Sequence, residues 1–230
     1  MENKSNHIDS FLQFPEPRVS AVFSHSWNVL KHNFVDLLLV FLVQALLAIP
    51  VGLTNIIFNP NEIEILPGSL FNLIYSILVL IPVGVGYAWV NLKAVRGEPF
   101  RIQDMFFAYQ RITDILLAYL LVGLIVGIGF ILLIVPGIIF ACRLAFVPYL
   151  IMDEKLEALE AIRKSWSMTK GKAGTIFLMG IASFFIIIGG VICLLVGVIP
   201  TAMWISLAFA SVYWAVSGLV KKKSPEDATQ

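Results

Sequence analysis

The chain has 230 residues, 59% hydrophobic and only 13% charged, with a mean hydropathy of +0.89 and a formal net charge of +1. Soluble domains carry about 25% charged residues, and a soluble core of this size cannot hide so much apolar surface, so the composition excludes an ordinary soluble globule and points to a lipid-facing exterior. The near-neutral charge also argues against a polyanionic partner such as nucleic acid.

In chain order, residues 1–17 read as a polar cytoplasmic tail with Lys4, Asp9 and Glu16. The first long apolar run begins near Phe34, too late for a cleavable signal peptide, so the first span is expected to stay in the protein. A helix crossing the hydrocarbon core needs about 20 apolar residues. Six runs meet that need: Phe34–Phe58, Ser69–Leu92, Asp114–Val135, Gly137–Met152, Gly174–Ile199 and Thr201–Val220. They are continuous and do not alternate as the strands of a membrane barrel do. The expected fold is all-α: one membrane helix bundle over residues 18–222, followed by a short tail from 223 to 230.

The 16 Lys and Arg residues orient it. Lys4, Arg18 and Lys31 precede span one, and Lys93, Arg96, Arg101 and Arg111 separate spans two and three. Lys155, Arg163, Lys164, Lys170 and Lys172 separate spans four and five, and Lys221, Lys222 and Lys223 follow span six. The opposite loops carry none: one holds Glu62 and Glu64, and the others are turns at Val135-Pro136-Gly137 and Ile199-Pro200-Thr201. The positive-inside rule therefore places both ends in the cytoplasm.

The same order suggests three parallel copies of one unit, each an amphipathic helix followed by a hairpin of two spans. Ser26-Trp27 leads into span one and Ser165-Trp166 into span five, each with a basic residue four positions after the Trp, Lys31 and Lys170. Tyr109 and Arg111 hold roughly that place in the second unit. In the third linking helix, Leu156, Leu159, Ile162, Trp166 and Thr169 share one face at helical spacing. Glu157, Glu160, Arg163 and Lys164 take the other side, and Gly171 suits a C-terminal cap. Such a helix, with Arg163, Lys164, Ser165, Trp166 and Lys170, is expected in the headgroup layer, either docking anionic lipid or serving as a plain elbow between spans.

From span three to span five runs a longer pattern: Pro136-Gly137-Ile138, then Arg143, Pro148 and Asp153, then Ala161-Ile162-Arg163-Lys164-Ser165-Trp166-Ser167-Met168-Thr169-Lys170-Gly171. Over about Gly127–Gly174 this resembles the membrane-domain family found fused to some glycerophosphoryl diester phosphodiesterases, and its stand-alone bacterial relatives. The resemblance implies a multi-pass protein of the bacterial plasma (inner) membrane. It does not imply phosphodiester hydrolysis, which in the fused proteins belongs to a separate soluble barrel domain. The three histidines, His7, His25 and His32, all precede span one, and no carboxylate cluster accompanies them.

Arg143 is the only basic residue inside a span. Ten residues before Asp153, it should lie roughly 15 Å along the helix, near the bilayer centre. A charge there costs about 2.5–3.5 kcal/mol, so it faces a partner or a wet cavity. Gln44, ten residues into span one, reaches a similar depth and is a candidate partner. Arg143 and Gln44 are thus the candidate polar or anion site, against the alternative of an internal bond to carbonyls freed near Pro148 or Pro82. Pro50, Pro82, Pro136 and Pro148 are expected kink positions. The first two sit in a repeated tetrapeptide, Ile49-Pro50-Val51-Gly52 and Ile81-Pro82-Val83-Gly84. Gly123 with Gly127, Ser206 with Ala210 and Ser211 with Ala215 are small-residue pairs that suit close helix packing. Trp89, Trp204, Trp214, Tyr87 and Tyr213 are expected mostly as interface anchors.

Cys142 and Cys193 sit inside apolar runs and read as buried hydrophobes, with no disulfide framework or metal motif. No nucleotide loop, metalloprotease helix or nucleophile elbow occurs, and Asp36 and Asp114 stand only at span starts. The expectation is a non-enzymatic, cofactor-free membrane protein that binds or organises lipid with anionic headgroups, or supports a membrane protein partner or a second copy of itself. A small transporter or channel for an anionic or amphipathic solute is the alternative.

Overall fold

The computed structural model describes residues 18–57, 65–192 and 197–223. Both predicted tails, apart from Lys223, lie outside the described residues, as do Cys193, Glu62 and Glu64. Helix α1 (Val19–His32) leads into α2 (Phe34–Ile57). Then come α3 (Ile65–Tyr75), a π-helical turn at Ser76–Leu80, and α4 (Ile81–Val95). A 3-10 segment at Ile102–Arg111 precedes α5 (Ile112–Leu132), α6 (Ile134–Leu144) and α7 (Val147–Asp153). The chain ends with α8 (Ala158–Met168), α9 (Ala173–Ile192) and α10 (Val198–Lys223). The described residues contain no strand, and six helical stretches are long and apolar enough to cross a membrane.

The even-numbered spans form the interior. In the second, fourth and sixth apolar stretches 33, 39 and 50% of residues are buried, against 11, 17 and 22% in the first, third and fifth. Exposed Leu39, Leu46, Leu120, Ile128, Phe184 and Phe185 turn the odd-numbered spans outward, as a lipid solvent allows. Each linking helix packs on the last span of the unit before it: the 3-10 segment on α4, α8 on α7 and α6, and α1 on α10. The third contact closes the sequence of units into a ring. Its seam is well made. The Ser26 hydroxyl lies 2.9 Å from that of Ser211, the Trp204 indole N–H donates to the Phe23 carbonyl at 3.0 Å, and Trp27 packs on Trp204.

The contact of the 3-10 segment with α4 depends on Gly86. A methyl group there would come within 1.8 Å of the Met105 carbonyl oxygen, so only a residue without Cβ lets the two backbones meet.

Several expectations are corrected. The turn between spans three and four comes earlier, at extended Leu133, and Pro136 lies inside the first turn of α6, where a missing N–H costs nothing. Pro200 likewise falls within α10 rather than in a turn. The second unit opens with a 3-10 segment, not an α-helix. The two Pro-containing tetrapeptides part company: α2 runs unbroken through Pro50, whereas Pro82 follows the π-helical turn. Gly123 and Gly127 make no close approach, since added methyl groups there would meet nothing within 4 Å. Tyr87, Tyr213 and Trp214 are core residues, not interface anchors.

The third linking helix buries a face different from its stripe of large apolar residues. In α8 the buried residues are Ala158, Ala161, Ser165 and Met168, with Thr169 just beyond, while Leu159 is 54% exposed and Ile162 and Trp166 are half-buried. Apart from Met168 the inward side chains are small, while Leu159 faces outward, because lipid solvates a leucine as well as protein does and small residues let helices approach.

Candidate functional site

The geometry around Arg143 starts from Pro148. Proline has no N–H to give the carbonyl four residues back and its ring clashes there, so span four breaks at Ala145–Phe146 and restarts as α7 with Pro148 in its first turn. The Arg143 carbonyl at the break is satisfied from α8. The Ser165 hydroxyl donates to it at 2.7 Å, and the Thr169 hydroxyl lies 3.2 Å away. The Ser-Trp-Ser-Met-Thr string thus supplies hydroxyls to a broken helix, which puts α8 beside span four.

The Arg143 side chain lies over the Trp166 ring at 4.6 Å from its centroid, and Trp166 in turn packs on Phe140. A cation over an indole face is stabilised by the ring quadrupole by roughly 0.5–2 kcal/mol. The Nε of Arg143 is buried without a hydrogen-bond partner, and among the described residues Arg143 has no carboxylate partner. Other cations do: Lys93 with Asp104 at 2.9 Å, Arg96 with Asp153 at 2.6 Å, Arg111 with Asp114 at 2.8 Å, and Lys164 with Glu154. The Gln44–Arg143 hydrogen bond is not formed. Gln44 sits in α2, and its buried Oε1 has no partner among the described residues.

After Thr169 the chain turns through Lys170, Gly171 and Lys172 into α9. Gly171 takes φ +78°, the left-handed conformation anticipated for a glycine at a helix end. Lys170 is exposed, Lys172 half-buried, and neither forms an ion pair among the described residues. Arg163 is exposed on the outer side of α8, and Lys164 is engaged with Glu154.

Open apolar grooves lie against α6, two of them large. One, of about 550 Å³, is walled by Tyr119, Gly123 and Gly127 of α5 and by Ala141, Ala145 and Pro148. The other, of about 580 Å³, lies between Ala141, Cys142 and Ala145 on one side and Ile176, Gly180 and Phe184 of α9 on the other. The Cys142 thiol is free.

The inner spans converge on a second polar cluster that the loop-by-loop reading missed. The Arg96 guanidinium donates to both carboxylate oxygens of Asp153 at 2.6 Å, and the Tyr213 hydroxyl donates to one of them at 2.8 Å. Each residue comes from a different inner span or its end, and Tyr213 stacks on Tyr149. Burial opposes the Arg96 charge, but the hydrogen bonds and charge of Asp153, with Glu98 at 3.8 Å, outweigh it and hold its pKa above the ordinary value. The available signal was an acid and a base each one residue past or at a span end, which marks an interface between ends without naming the pair.

His25 of α1 sits beside this cluster, with Nε2 at 3.2 Å from the Val95 carbonyl and its ring against Trp214. Burial pushes its pKa below the ordinary 6.5, opposed by the Val95 hydrogen bond. The unfolded chain therefore takes the proton more readily, so this contribution to stability is complete above pH about 6.5 and is lost as pH falls through the lowered folded value. Detergent-solubilised protein should melt lower at pH 5 than at pH 7.5, and His25→Gln should flatten that part of the dependence. An unchanged slope in the variant would assign the acid sensitivity to other groups.

No group of His, Cys, Asp and Glu among the described residues is arranged to hold a metal ion. Comparison of the whole chain with protein-family models, with curated proteins and with solved structures finds no match.

Proposed function

We propose that this is a non-enzymatic integral membrane protein that holds membrane lipid along its second hairpin, in the bilayer of a bacterial plasma membrane. The observation that carries this reading is the set of open grooves against α6, lined by apolar and small residues. Apolar crevices between spans suit acyl chains, and burial of each methylene in such a groove adds packing contacts that a rough helix surface lacks. The bacterial setting rests on the resemblance of Gly127–Gly174 to the phosphodiesterase-associated membrane-domain family. A solute carrier would need a polar path past Arg143, whereas the grooves beside it are lined by apolar residues, which favours lipid as the occupant.

Gly123→Leu and Ala141→Leu test the reading, because both positions wall the first groove and Gly123 has open space around it. Native mass spectrometry of gently purified wild type is expected to show discrete retained lipids, and the filled variants should lose them while melting like wild type. Wild type that carries no lipid beyond a statistical spread, or filled variants that retain the same set, would overturn it.

A further inference from the structure

We infer that Arg143, Lys170 and Lys172 bind the phosphate of an anionic phospholipid. The inference rests on the lipid-holding reading above and names the headgroup that the site selects.

Three observations carry it. Arg143 is a cation inside a span with a buried, unpartnered Nε and no carboxylate among the described residues, where Lys93, Arg96, Arg111 and Lys164 each have one. Its guanidinium carbon lies over the Trp166 ring at 4.6 Å, which restrains a group whose planar fork can grip phosphate with two parallel bonds. The Thr169 hydroxyl, 3.2 Å from the Arg143 carbonyl, sets the Lys170-Gly171-Lys172 turn beside the Arg143 main chain, adding two cations that form no ion pair among the described residues and the opening turn of α9. The first N–H groups of that helix have no intrahelical acceptor and present the positive end of its dipole. The acids nearest in sequence are Asp153, which is held by Arg96, and Glu160, which forms no ion pair with Arg143, Lys170 or Lys172.

Three cations with no ion-pair partner among the described residues call for a ligand of net negative charge. A zwitterionic headgroup brings its own cation to a place already positive, so phosphatidylglycerol chemistry suits the site and phosphatidylcholine does not. A lipid rather than free phosphate is favoured because Cys142, next to Arg143, lines the groove against α9, which gives the attached chains a place to lie.

The test uses full-length protein in nanodiscs holding equal amounts of phosphatidylglycerol and phosphatidylcholine, with retained lipid counted after mild extraction. Wild type is expected to enrich phosphatidylglycerol by about tenfold, the effect of one good charge-assisted contact. Arg143→Gln should abolish the preference, and Arg143→Lys should keep part of it, since lysine supplies the charge without the fork. Lys170→Gln with Lys172→Gln should weaken it while leaving Trp166 and Arg143 in place, and these two variants carry the test if Arg143→Gln does not fold. Equal retention of both lipids by wild type, or an undiminished preference in Arg143→Gln, overturns the headgroup site. Inorganic phosphate that displaces the bound lipid at millimolar concentration would reassign the site to a soluble anion. Loss of both lipids alike in Gly123→Leu reports on the grooves and leaves the ratio at the headgroup unchanged, so the two readings fail separately.

Discussion

Asp153→Asn is expected to destabilise the folded bundle by about 3 kcal/mol, the lower end of the range for removing one partner of a buried ion pair. Arg96 then keeps its charge in a site where its side chain is only 16% exposed, and among the described residues no other carboxylate replaces Asp153, since Glu98 stands at 3.8 Å and is itself 45% exposed. The small remaining exposure is why the lower end of the range applies. Tyr213→Phe removes only one hydrogen bond to the same carboxylate and should cost about 1 kcal/mol. The pair Arg96→Gln with Asp153→Asn should be less harmful than the sum of the single changes, because no lone charge is left. Unfolding in detergent micelles measures all of these, and a melting point for Asp153→Asn indistinguishable from wild type would show that the three inner spans do not depend on this cluster.

Gly86→Ala should be as damaging, from a single methyl group. The added carbon would lie 1.8 Å from the Met105 carbonyl oxygen and 2.6 Å from its carbonyl carbon, a collision of backbone with backbone that no rotamer relieves. Overpacking ordinarily costs about 1–3 kcal/mol, and a collision that must lift a whole 3-10 segment off α4 belongs at the top of that range or above it. Gly84→Ala is the control: nothing stands within 4 Å of the new methyl, and alanine favours a helix over glycine by up to about 1 kcal/mol. The two variants differ by one alanine, two positions apart in the same helix. A similar yield of folded, monodisperse protein from both would mean that the 3-10 segment does not need its contact with α4.

The break in span four and the Trp166 contact show how much of the site was readable. Arg143 stood out in sequence because a charge in an apolar run is costly and needs a reason. Pro148 announced a break nearby, and the carbonyls it disturbs were a stated alternative for the partner. What could not be read was that α8 would fold back beside the break. That depends on Ser165 and Thr169 meeting a carbonyl 22 and 26 residues away, and hydrophobic periodicity carries no information on such a contact. The same limit hides the buried face of α8. Periodicity groups the large apolar residues on one face, but beside a membrane bundle the medium outside is also apolar, and packing selects Ala158, Ala161 and Ser165 for burial. Gly123 and Gly127 erred in the opposite sense: small residues permit close approach but do not compel it, and here they leave a groove.

By itself the sequence determined that this chain is a helical membrane protein with six apolar stretches, because the hydrocarbon core imposes a length and a continuity of apolar residues that composition and spacing alone satisfy. It also determined where the costly residues lie along each span, since an arginine or a proline acts on its own helix. Only the tertiary structure decided which spans are inner, that α1 closes the ring of units on α10, and that Arg96, Asp153 and Tyr213 meet across separations of 57 and 60 residues. The physical reason is that all six stretches are apolar on every side, so burial in lipid and burial in protein look alike in sequence. Small-residue contacts, single hydrogen bonds and one ion pair choose between them, and each of these needs a partner that is distant in the chain.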